Sequence, residues 1–270
     1  MKWQPKCNHF VMKFLLASLL LNAAAVLSHA ENKPLQELIG RTNDQVSKFV
    51  EQFSDVKCTE HVTQEKFKAD GKVELKEQST YDYLVILTNA GGEISLDESR
   101  LAVHEQKKEE KKRISMLVSN GFATLFLVFH PYYSSGFEFT QVGEETINGH
   151  KFVKVQFKHI PGMRSPAALA LRGREYPLDL AGVAWIDPET GVIGKIDAGL
   201  AGSMEDIGLK SMRSEVEFQP VPFKGSKDVY WFPAQASVEV ETPRQHWRNT
   251  HNFTDYKQFS VSTEEKVASK

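Results

Sequence analysis

"VAWIDPETGVIGKI", residues 183–196, sets two carboxylates, Asp187 and Glu189, two positions apart beside Trp185. Such a pair reads either as an acid and a base or as a bend in the chain. The flanks favour the bend. Val183 and Trp185 alternate with a small residue on one side, and Val192, Ile193 and Ile196 form a short β-branched run on the other. Between them, Asp187 accepts backbone hydrogens, Pro188 presets φ near about −65°, and Gly191 takes a positive φ without steric cost. The stretch predicts a strand, a tight connection and a returning strand. A catalytic dyad needs a cleft and a supporting shell, and the neighbouring residues supply neither.

The chain around this hairpin is β-rich. "GFEFTQ" (136–141) and "KFVKVQFKH" (151–159) flank Asn148-Gly149, a pair suited to a type I′ turn. Val153, Val155 and Phe157 point one way along the second strand and Lys154, Gln156 and Lys158 the other, while Phe137 and Phe139 oppose Glu138 and Thr140. Clean alternation predicts one buried and one wet face, as in an open antiparallel sheet. "CTEHVTQEKFKADGKVELKEQSTYDYLVIL" (58–87) reads as two long strands around an Asp70-Gly71 turn, with a further turn at 89–92. A strand near 209–219 and the pair "VYWFPAQASVEVET" (229–242) and "HNFTDYKQFSV" (251–261) close the sheet.

Helical material is scarce. "LQELIGRTNDQVSKFVEQF" (35–53) spaces Leu35, Leu38, Ile39, Val46, Phe49, Val50 and Phe53 as an amphipathic helix, weakened in its first half by Gly40 and Asn43. "HEQKKEEKKR" (104–113) is a mixed charge run that leads into "ISMLVSNGFATLFLVFH" (114–130), read as a helix over its first part with an extended exit near Phe129. "HIPGMRSPAALALRGREYPLDL" (159–180) breaks the pattern with three prolines. Its prolines and glycines keep it out of a regular sheet, yet Ala167 to Leu171 form an apolar run that belongs out of water. The expected form is a flap with one or two helical turns over the mouth of the sheet. Arg164, Leu169, Leu171, Arg172 and Arg174 are then its lid residues.

Residues 1–30 read as a signal peptide: Lys2, Lys6 and Lys13, an apolar stretch from Phe14 to Leu27, and small residues at Ser28 and Ala30. The apolar stretch falls short of the ~20 residues of a spanning helix. Cleavage after Ala30 leaves 240 residues, takes three lysines and shifts the formal net charge from −2 to −5. That mild acidity excludes the electrostatic footprint of a nucleic-acid binder. One cysteine, Cys58, remains, so no intramolecular disulfide is available; its expected place is the core. The predicted organisation is a single domain over 31–260 followed by a polar tail, 261–270.

No Gly-x-Ser-x-Gly elbow, His-Glu-x-x-His pair or Gly-rich phosphate loop occurs, so no catalytic residue, metal or cofactor is expected. His246 and His251, five apart on a strand, face opposite sides of a sheet and cannot chelate one ion. Ser134 and Ser135 near His130 lack an acid to orient the histidine.

The order of elements, with Trp185-Ile186-Asp187-Pro188-Glu189-Thr190-Gly191 and Asp255-Tyr256-Lys257-Gln258-Phe259 as its specific motifs, resembles the LolA/LolB/RseB-like superfamily of exported bacterial proteins. The likeness covers most of residues 35–260. It implies a mainly β fold, a large curved antiparallel sheet forming a half-barrel closed by a few helices, with an apolar cavity for acyl chains of lipoproteins. The chain departs from the lipoprotein carriers in its greater length and in the 159–180 segment. The leading functional expectation is an envelope or periplasmic protein that carries or senses lipid or lipidated protein. Phe137, Phe139, Val153, Val155, Phe157 and Trp185 are the candidates for its apolar face. The rival is a protein–protein interaction module whose contact surface is 104–113 or 159–180; an enzyme of unrecognised type stands third.

Overall fold

The computed structural model describes residues 33–90, 93–103, 123–171, 174–223 and 229–258. The signal peptide, the charge run 104–113, most of the apolar stretch after it, Arg172 and the C-terminal tail lie outside the described residues. The chain divides into two compact units between Gly40 and Arg41. Within the first, residues 33–40 are helical, and that helix (α1) runs on to residue 54 in the second, uninterrupted by Gly40 or Asn43.

The second unit contains all the described strands. β1 (Val56–Phe67), β2 (Val73–Ala90) and β3 (Glu93–Ala102) come first. A helical segment follows: α2 (Ala123–Phe126), a 3-10 turn (Leu127–Phe129) and α3 (Pro131–Ser134). Then come β4 (Phe137–Ile147), β5 (His150–His159), β6 (Ala168–Leu171), β7 (Arg174–Pro177), β8 (Leu180–Ile186) and β9 (Ile193–Leu200). β10 (Ser211–Pro222), β11 (Val229–Glu241) and β12 (His246–Gln258) complete the series. Ten of them form one antiparallel sheet in the order β3-β2-β1-β12-β11-β10-β9-β8-β5-β4. The sheet is open, as the alternation predicts, and with few helices it makes the mainly β half-barrel that the resemblance implies.

Register shows how a period of two sorts the faces. Val155, Ala184, Ile196, Val216, Ala236, His251 and Val62 pair in one row across seven strands, and all are buried. The neighbouring row, Lys154, Trp185, Lys195, Glu217, Gln235, Asn252 and His61, is polar except for Trp185. The Trp185 ring lies under two ammonium groups, Lys154 at 5.2 Å and Lys195 at 5.5 Å, and its indole N–H donates to Glu145 Oε2 at 2.9 Å.

The two edges of the sheet are β3 and β4, and residues 123–136 precede β4 in the chain. Phe126, Leu127, Val128 and Phe129 of that segment are buried, and Phe129 packs on Phe139 and Phe157 at ring distances of 5.2 and 5.8 Å. The Tyr133 hydroxyl, on α3, donates to the Ile94 carbonyl of β3 at 2.9 Å. The expected extended exit near Phe129 is confined to His130 (φ −74°, ψ 139°), because Pro131 starts a new helical turn there and His130 Nδ1 accepts the Tyr132 N–H.

The 159–180 segment stays out of the main sheet, but its expected helical turns are replaced by the β6–β7 hairpin, a two-stranded sheet of its own. Five apolar residues between Pro166 and Arg172 are too few to nucleate a helix, whereas four of them, Ala168–Leu171, pair with the returning strand Arg174–Pro177. The Asn148-Gly149 turn has φ values of 50° and 80°, as type I′ requires.

The opening hairpin is a turn that also docks a helix. Asp187 Oδ1 accepts the N–H groups of Glu189 (2.9 Å) and Thr190 (2.6 Å) and the Thr190 hydroxyl, and Gly191 N–H closes back onto the Asp187 carbonyl at 2.9 Å. Glu189 is exposed and takes no part in a dyad. Gly191 has φ +78°, and a Cβ there would stand 2.7 Å from the Arg41 carbonyl carbon and 2.8 Å from Thr42 N of α1. Gly191→Ala therefore meets both a left-handed backbone and a helix backbone. The expected loss is at least ~2 kcal/mol of unfolding free energy by urea titration, well beyond that of Gly149→Ala, where nothing lies within 4 Å.

Candidate functional site

A cleft of about 140 Å³ opens between α1 and the sheet. Its helix wall follows from spacing: Gln45, Phe49 and Gln52 stand one turn apart on the stripe beside the buried Val46, Val50 and Phe53. Phe126 of α2 closes one side, with its ring 4.6 Å from Phe49. The sheet contributes Phe218, Tyr230 and Trp231, and the docking turn contributes Gly191 and Val192. Phe53, Phe232 and Tyr256 continue the aromatic cluster beneath, with Phe49–Phe232 at 5.7 Å and Phe232–Tyr256 at 5.1 Å. No lining residue is charged. The cleft offers apolar contact and amide hydrogen bonds, and no nucleophile. Its volume is that of about five water molecules at ~30 Å³ each, below the ~300 Å³ of an ordinary small-molecule pocket. It suits one chain end or one ring.

A buried ionic network lies at the other end of the sheet. Glu60 on β1 is fully buried and accepts Arg100 Nε at 2.6 Å, Arg100 Nη2 at 2.9 Å and His251 Nδ1 at 2.8 Å. Arg100 Nη2 also donates to Glu98 Oε2 at 2.8 Å, and its guanidinium covers the Tyr83 ring at 5.1 Å. Burial pushes the Glu60 carboxyl up, but the hydrogen bonds from His251 and Arg100 outweigh it and leave it below the ordinary carboxylate range. At Glu98, burial wins over the Arg100 charge, so that carboxyl is raised. Burial also pushes the Cys58 thiol up to about 12, which makes it a core residue and not a nucleophile.

The sequence-named residues divide into separate places. Phe137, Val153, Val155 and Phe157 are buried, and Phe139 is half-buried. Phe129 fills the space between Phe139 and Phe157, so this group packs with the helical segment and does not line the cleft. Trp185 stands on the opposite, lysine-flanked face of β8. Of the lid residues, Arg164 lies over the Tyr132 ring at 4.5 Å and Arg174 is exposed on β7; Leu169 and Leu171 belong to β6. His246 and His251 pair separately, with Glu239 and Glu60. Among the described residues no group of three His, Cys, Asp or Glu side chains could hold a metal ion. The cleft itself went unread in the sequence. Its signal was the Phe49 stripe of α1 together with Tyr230-Trp231-Phe232, but which strands face a helix depends on long-range pairing.

No family model and no curated protein matches the sequence. Among solved structures, the chain is similar to a DUF1329 family protein from Desulfovibrio piger, at 12% identity and a TM-score of 0.41 over 84% of this chain and 95% of that one. It is similar to a putative outer membrane lipoprotein-sorting protein domain from Vibrio parahaemolyticus at 12% identity and a TM-score of 0.38, over 84% of this chain and 94% of that one. A LolA superfamily protein from Nitrosomonas europaea gives 11% identity and a TM-score of 0.34, over 84% and 96%.

The ionic network makes stability depend on pH in opposite ways at its two acids. Glu60, with its lowered folded value, contributes stability that is present above the ordinary carboxylate pKa of ~4.3 and is lost as pH falls through the folded value. Glu98, with its raised value, carries a penalty that is absent below ~4.3 and grows as pH rises. In urea titrations Glu60→Gln should lose about 3 kcal/mol at pH 7, and the gap to wild type should hold down to about pH 4 and narrow only below it, as Glu60 takes up its proton in the folded state. Glu98→Gln should be at least as stable as wild type at pH 7 and forfeit that advantage toward pH 4.

Proposed function

We propose that this chain is an exported envelope protein that binds the apolar chain of a lipid or a lipidated protein, and that its work is binding and not catalysis. The cleft beneath α1 carries this reading: aromatic rings and β-branched side chains line it, two glutamines stand at its rim, and no charged group enters it. Hydrophobic ligands seat in apolar concavities, and this one, smaller than an ordinary pocket, has room for one chain end. The signal-peptide pattern of residues 1–30 supports the exported setting.

Titration of a fluorescent acyl probe tests the proposal. Micromolar, saturable binding is expected, and Phe49→Ala should weaken it at least tenfold, since the ring supplies ~1.5–3 kcal/mol of apolar contact. Circular dichroism of the variant should stay that of a folded β protein. No binding by wild type, together with no lipid in native mass spectra of protein taken from its own envelope, would count decisively against the reading.

A second reading, an interaction module without lipid cargo, is favoured by the β6–β7 hairpin. Two strands alone bury too little surface to be stable in water, so such a hairpin gains from a partner surface. Replacing residues 168–177 by a short Gly/Ser linker separates the two. Loss of a co-purifying protein with intact acyl binding supports the interaction module, and altered acyl binding supports a gate.

A further inference from the structure

Two cations of α1 near the lining glutamines have no carboxylate partner among the described residues. Arg41 and Lys48 are exposed on α1, and neither forms an ion pair among the described residues. At ~100° per residue, positions 41, 45, 48 and 52 share a stripe roughly 60° wide, so these cations flank the two lining glutamines. Arg41 Nη2 donates to the Pro188 carbonyl at 2.9 Å, which holds the guanidinium at the turn whose Gly191 and Val192 line the cleft. One donor is thereby committed, and the others remain.

His150 lies beside the same turn. The His150 ring stands 5.8 Å from the Trp231 ring, and its Nε2 meets Asp187 Oδ2 at 2.6 Å. Asp187 is already occupied there by His150 and by the donors of its own turn. Glu189 is exposed on the turn, and Asp44 and Glu51 lie on the next stripe of the helix, beyond the cations.

An uncharged apolar slot the width of one chain, with cations beside it that have no carboxylate partner among the described residues, has the polarity of an amphiphile. We infer that the cleft takes a single-chain amphiphile with an anionic head group, its tail against Phe49, Phe126 and Phe218 and its head held by Arg41 and Lys48. Carboxylate and phosphate heads share the chemistry that a guanidinium and an ammonium recognise. The inference rests on the apolar-binding reading and adds the sign of the head group. A lipid with several chains leaves all but one outside a slot of this size.

Calorimetric titration of the full chain at low salt with decanoate, decyl phosphate, decanol and decyltrimethylammonium tests it. The two anions should bind about tenfold tighter than decanol, and the cation weakest. Arg41→Gln/Lys48→Gln should bring the anions down to the level of decanol and leave decanol unchanged. In wild type, added salt should erode the advantage of the anions without any variant. A higher affinity for one anion decides between carboxylate and phosphate. Equal binding of decanoate and decanol, or an advantage unmoved by salt, overturns the anionic head group while leaving apolar binding intact. No binding of any of the four overturns both.

Discussion

The contact between Gly191 and the α1 backbone at Arg41 and Thr42 is the constraint on which the candidate site depends. A helix can lie this close to a β turn only where the turn residue has no side chain and accepts a positive φ, and Gly191 meets both conditions. The approach fixes the height of α1 above the sheet. With the helix held at this end, Phe49 reaches Phe126 and Phe232 while Gln45 and Gln52 stay at the rim, and the remaining space is the cleft. Asp187 serves the same end, since its carboxylate satisfies the turn's own N–H groups and anchors His150 beside Trp231.

The inner face of the sheet is divided between two kinds of chemistry. Toward β8 and β9 the buried row is aliphatic and packs by contact alone, whereas toward β1 and β3 it passes through His251 into the Glu60–Arg100–Glu98 network. Replacing Glu60 or Arg100 leaves the remaining charges buried and unmatched, so at those two positions the network tolerates less change than the aliphatic rows. It also binds β3, an edge strand, to β1 through side chains as well as through the ladder with β2. An edge held this way is less free to peel or to recruit a foreign strand.

Much of the fold was legible because local chemistry and global pairing agree. Asp-Pro-Glu-Thr-Gly, Asn148-Gly149 and the alternation of Val153, Val155 and Phe157 each carry their own geometry, and each reappears in the structure. The site was legible only in kind. Trp185 reads as an inner-face aromatic by composition, but its register with Lys154 and Lys195 puts it on the wet side, where lysine stems cover the ring. Likewise Phe137, Phe139 and Phe157 belong to the correct face, yet Phe129 occupies the space above them. Periodicity gives the direction of a side chain and says nothing of what fills the volume it points into. The Ala/Leu run of 167–171 failed for another reason: its composition favours helix, and pairing with β7 overrode that preference.

The pairing of β1 with β12 has a consequence for how the chain acquires its structure. Glu60 and His251, in contact through these strands, are 191 positions apart. Every other neighbour in the large sheet is joined to its partner by a hairpin or a short excursion, so most of the ladder can form early and locally. This one seam must wait for the last of the described strands. Until then β1 exposes a ladder edge, and the half-assembled sheet consists of two meanders with no bond between them. Folding should accordingly proceed in two stages, with a slow docking step that closes the seam and buries Glu60 in the same event.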